Sequence, residues 1–187
     1  MFRTSAALLV LAASAAQAQP QAELPTVVSV FEKACLTGGV DAAARPVALQ
    51  AAGWIKDAAP NVDVKNLGVS RAIEVNYDFS KPEAVEQWSS TIDGRPARIV
   101  LASFPAKRRY PELCALVVDE VTNAIPYGGE LRTAFKTFGI GGKSVDLVHY
   151  YEFAGKVGAD KHPVRGEIFT RSLASGAKNS MHFYVAY

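Results

Sequence analysis

The sequence predicts an α+β fold: a mainly antiparallel sheet with helices packed on one face, in a single domain. Three observations carry this. Apolar residues recur at helical spacing near the N-terminus and then at a period of two from residue 71 onward. Asp93-Gly94 separates two runs able to pair as a hairpin. Leu113 to Val118 is an unbroken apolar run, the pattern of a central strand covered on both faces.

The elements follow in chain order. Arg3, the apolar stretch Ala6–Ala13 and the small residues Ala16 and Ala18 read as a removable secretion signal, residues 1–18. The apolar stretch is far shorter than the roughly 20 residues of a membrane-spanning helix, and no cysteine near the cut could carry a lipid. Residues 19–25 form a polar leader before the domain, 26–187. Thr26 caps a first helix carrying Val27, Phe31, Ala34 and Cys35, which Gly38-Gly39 ends. A second helix follows Asp41; Pro46 is too deep for the first turn of a helix capped there, so the helix kinks or starts at Pro46. It closes at Gly53-Trp54, and residues 55–68 read as loop.

Arg71, Ile73, Val75, Tyr77 and Phe79 alternate as a half-buried strand. The hairpin runs from Ala84 to Ile92 and from Ala97 to Phe104. Residues 129–138 place Leu131, Phe135 and Phe138 on one helical face, stopped by Gly139. Three strands complete the chain: Val145–Phe153, Val164–Leu173 and Ser180–Tyr187.

Nearly half the residues are apolar and a tenth aromatic, as in an ordered globular protein. The formal charge of +2 falls by one when Arg3 is removed, which argues against nucleic acid or a charged membrane surface as partner. Cys35 and Cys114 are the two cysteines of a chain bound for an oxidising compartment, so a bridge between them is expected, with two separate buried thiols as the alternative. Closing a loop of that length restricts the unfolded chain by roughly 4 kcal/mol.

The stretch Val30-Phe31-Glu32-Lys33-Ala34-Cys35-Leu36, with the alanine-rich segment ending Ala52-Gly53-Trp54, resembles the opening of a set of uncharacterised small exported proteobacterial proteins with an N-terminal F-x-x-x-C helix. The Asp-Gly hairpin and the later cysteine in an apolar strand are similar as well. The resemblance implies one disulfide-linked domain and no known activity.

Catalytic motifs are sparse. His149 falls on the apolar face of Val145, Leu147, Tyr151 and Phe153, and His182 lies opposite in phase to Met181, Phe183 and Val185. These two mark a buried polar site; a packed histidine with one partner is the economical account. His162 sits in a polar loop, and no pair has ready-made metal-ligand spacing. There is no G-x-S-x-G elbow. Gly139 to Ser144 has phosphate-loop composition without its spacing and reads as a helix stop plus a turn. Asp119-Glu120 reads as a solvated strand end. Lys107, Arg108 and Arg109, with Arg95 and Arg98 in the hairpin, form a basic group that could face an anion, or a solvated loop that keeps a sheet edge soluble. The alternating aromatic C-terminus resembles the last strand of a membrane barrel, but helices and a covered strand occupy the space of the further strands a barrel needs.

These readings lead to a periplasmic or secreted domain with no cofactor and no metal, acting as a non-catalytic binding or envelope-interaction module. Its partner is an envelope component or a small ligand. The rival readings are a small hydrolase or metal-dependent enzyme with a site assembled from distant residues, and a carrier of an apolar ligand.

Overall fold

The structure, a computed structural model, describes residues 24–37, 43–64, 81–121, 141–144, 150–157, 162–171 and 180–187. The secretion signal, the strand expected over 71–79, the helix expected over 129–138 and His149 lie outside these residues. Helix α1 spans Leu24–Phe31 and widens into a π-type turn, Glu32–Thr37, which carries Cys35. It begins at Leu24, two residues before the expected cap Thr26. Pro25 falls in its first turn, where the missing N–H has no intrahelical acceptor to lose.

Helix α2 spans Ala44–Ala51. It starts three residues later than Asp41, which places Pro46 in the first turn and removes any need for a kink. Its end is closed by main-chain geometry. Gly53 adopts a φ of +82°, the Gly53 N–H donates to Gln50 O, and the Trp54 N–H donates to Leu49 O, both at 3.0 Å. This is a Schellman ending, and it turns Trp54 back toward Leu49 in the core.

Eight strands follow among the described residues: β1 (Ile55–Lys56), β2 (Ala84–Ile92), β3 (Arg95–Ser103), β4 (Glu112–Val118), β5 (Gly141–Ser144), β6 (Tyr150–Val157), β7 (His162–Arg171) and β8 (Ser180–Ala186). They form one sheet in the order β1-β2-β3-β4-β8-β7-β6-β5, with every neighbouring pair antiparallel. Two meanders, one from each half of the chain, meet where Leu113 to Val118 pairs with Ala186 to Met181. Among the described residues the result is an α+β arrangement of an antiparallel sheet and two short helices. No helix among the described residues is long and apolar enough to cross a membrane.

The hairpin forms about Asp93-Gly94, in the register Ile92↔Arg95 to Ala84↔Ser103; its second strand is Arg95–Ser103, where Ala97 to Phe104 was expected. Asp93 (φ 49°) and Gly94 (φ 75°) both take positive φ, as a type I′ turn requires. Strand β4 is buried from Leu113 to Val118, which explains its unbroken apolar run.

Other strand boundaries also differ from expectation. Ile55–Lys56, read as loop, pairs with Ser89 and Trp88. Gly141–Ser144, read as a turn, pairs with Ala154 to Tyr151, and β6 runs from Tyr150 to Val157. In both cases a neighbouring strand supplies main-chain partners that local composition does not encode. Strand β7 begins at His162, with Pro163 near its start, where a proline is tolerated. His162 is therefore a strand residue, not a loop residue.

The alternation of side chains divides the core into two clusters. On one face Ile99, Leu101, Cys114, Leu116, Phe183 and Val185 pack with Val27, Phe31 and Leu49 of the helices. The Phe31 and Phe183 rings lie 5.6 Å apart between centroids. On the other, Val100, Ala102, Leu113, Ala115, Val117 and Ala186 pack with Val64 and Phe104. Cys35 and Cys114 are fully buried, with their sulfur atoms at bonding distance and their Cα atoms 5.5 Å apart. The bridge joins the turn after α1 to the fourth strand of the eight.

Candidate functional site

The most distinctive side chain on the helix-bearing side is Arg45. It precedes Leu49 by one helical turn, so both point to the core, and Arg45 is only 3% exposed. A buried guanidinium is costly unless it is paired. Its Nη2 donates to Glu112 Oε2 at 3.2 Å, and its central carbon lies 5.0 Å from the centre of the Tyr187 ring. Glu112 and Tyr187 are themselves held together, since the Tyr187 N–H donates to the Glu112 carbonyl at 3.0 Å. Burial pushes the Tyr187 phenol above its ordinary value; Arg45 pulls it down and Glu112 adds to the rise.

Arg45 lines two clefts. One, of about 200 Å³, has Pro46, Glu86, Leu101, Ser103 and Glu112 around it. The carboxylates here are tied up: Glu86 accepts from Lys56 Nζ at 2.6 Å and from Trp88 Nε1 at 3.3 Å. The other, of about 260 Å³, is walled by Val30, Ala34, Leu49 and Trp54, with Lys33 and Arg45 as its charged residues. An apolar cleft with a few fixed polar groups is the usual form of a small-ligand site.

The opposite face carries a second polar group. Ser180 Oγ and His182 Nε2 are 2.7 Å apart, and both residues are buried. Asp119 and Ser180 stand one residue beyond the last ladder pair, Val118↔Met181. Arg98 Nη2 donates to both Asp119 carboxylate oxygens at 2.9 Å, so this carboxylate is held by the arginine. Among the described residues no group of three His, Cys, Asp or Glu side chains is placed to hold a metal.

The structure does not gather the basic residues of the sequence into one surface. Arg95 and Arg98 lie toward the turn end of β3, whereas Lys107, Arg108 and Arg109 follow its other end. Along β3, Arg95 lies about 26 Å and Arg98 about 17 Å from the strand end that leads to the second group. Arg95 is buried, Arg98 pairs with Asp119, Arg108 sits over Phe104 at 5.1 Å, and Arg109 over Tyr110 at 5.5 Å. Of the two histidines expected to be buried, His182 is described and buried, while His149 lies outside the described residues.

Arg45, Glu112, Tyr187 and Trp54 were not legible as a site. The available signal was the arginine at i−4 from Leu49, on the apolar stripe of its helix. No family model, no curated protein and no solved structure matches this chain.

Proposed function

We propose that this chain is an exported, non-catalytic binding domain that holds a small ligand in the clefts beside Arg45. The single observation that carries the reading is the buried Arg45, fixed by Glu112 and Tyr187 between two largely apolar clefts. Fixing a guanidinium before the ligand arrives reduces the ordering cost of binding. The buried bridge and the signal-like N-terminus agree with a periplasmic or secreted location, and an envelope component or small ligand as partner. The same reading takes residues 26–187 as one domain with both helices on one face of the sheet, and the resemblance to exported proteobacterial proteins as kinship. Two-dimensional NMR with a mixture of small amphiphilic fragments tests it. Shifts should cluster at Trp54, Leu49 and Arg45; shifts confined to other surfaces, or none, would exclude the clefts as the site.

A second reading, a small hydrolase, is favoured by the Ser180–His182 contact, because a serine within reach of an imidazole is the core of a nucleophilic pair. A fluorophosphonate probe would then label the native protein once, and Ser180→Ala would abolish the label. An unlabelled native protein leaves the contact as a packed polar pair.

A further inference from the structure

We propose that the larger cleft takes a monoanionic amphiphile of about ten non-hydrogen atoms, a medium-chain carboxylate, with its carboxylate toward Arg45 and Lys33 and its chain against Leu49 and Trp54. The proposal rests on the binding-domain reading above and names the ligand class. Two observations lead to it.

The two clefts share Arg45 but differ in their carboxylates. Glu86 and Glu112 line the smaller one beside Arg45, whereas Lys33 and Arg45 are the charged residues of the larger one, with no carboxylate in its wall. The larger cleft therefore favours an anion, and Arg45, buried at its side, keeps that preference out of the full screening of water.

Volume sets the size of the body. A dry apolar cavity of about 150 Å³ holds a benzene ring of six carbons. By that scale the 260 Å³ of this cleft suits about ten non-hydrogen atoms, those of an eight-carbon carboxylate. The remaining walls, Val30, Ala34, Leu49 and Trp54, offer an alkyl chain apolar contact along its length.

Calorimetric titration of the oxidised protein with octanoate, octan-1-ol and octylammonium tests this. Octanoate should bind one to one, with octanol about tenfold weaker because it lacks the charge-assisted contact, and octylammonium should not bind. Arg45→Gln removes a core ion pair and could fail to fold, so two other variants carry the test. Lys33 is exposed, and Lys33→Gln should weaken octanoate about threefold while leaving octanol unchanged. Ala48 is exposed on α2 and lines the cleft; Ala48→Leu should fill it and abolish binding of both while the melting temperature holds.

Octanol or octylammonium binding as tightly as octanoate would overturn the anion assignment and leave the cleft as a binding site. No binding of any of the three, with amphiphilic fragments still shifting Trp54, would overturn the ligand class alone. Octanoate binding unaffected by Ala48→Leu would place the site elsewhere and overturn both readings.

Discussion

Cys35 and Cys114 are both sealed from solvent and separated by 79 residues in sequence, so their bridge acts mainly by restricting the unfolded chain. Peptide mapping without reductant should find them joined, and Cys35→Ser or Cys114→Ser should lower stability by about 2–5 kcal/mol in denaturant titration. Tyr187 gives a pH prediction. Its raised folded pKa favours the neutral phenol in the fold, so the associated stability is complete below the unfolded tyrosine value, about 10. That stability is lost as pH rises from there toward the folded value. Alkaline absorbance titration should therefore show one tyrosine that ionises only with unfolding, and Tyr187→Phe should remove that late step. His182 and Ser180 were legible in unequal measure. Strand phase separated His182 from Met181 and Phe183, but a hydroxyl two residues away on the same face draws no attention until the distance is known.

The β2–β3 hairpin was readable because its turn chemistry is local: two positive φ values in succession need Asp-Gly or its like. A Cβ on Gly94 would meet nothing within 4 Å, so the cost of Gly94→Ala comes from φ alone, about 1 kcal/mol by thermal denaturation. Gly53 is also open around a built Cβ, and Gly53→Ala should cost about the same. It should also loosen Trp54 from Leu49 and red-shift tryptophan emission, which Gly94→Ala should not do. Strands β1 and β5 escaped the sequence reading because two and four residues are too few to show a period, and their pairing comes from β2 and β6. The basic residues are divided by a strand. Arg98 and Lys107 are close in sequence, but the second half of β3 runs between them.

At the level of the whole molecule, the antiparallel sheet with short helices was legible from the change in apolar period and the covered run at Leu113 to Val118. The site was not, because Arg45, Glu112 and Tyr187 come from three distant segments brought together by the β4–β8 pairing and by α2. If the chain is exported as proposed, intact mass of the periplasmic protein should correspond to a start at Gln19; recovery of the full-length chain there would contradict cleavage. A binding role requires that the clefts at Arg45 hold a ligand. The most direct measurement is a crystal structure of the oxidised protein grown with a cocktail of small amphiphilic fragments. Ligand density is expected between α2 and the segment of α1 and its π-type turn, in contact with Trp54 and within hydrogen-bond reach of Arg45. Both clefts unfilled at saturating concentration, with density only elsewhere on the surface, would contradict it.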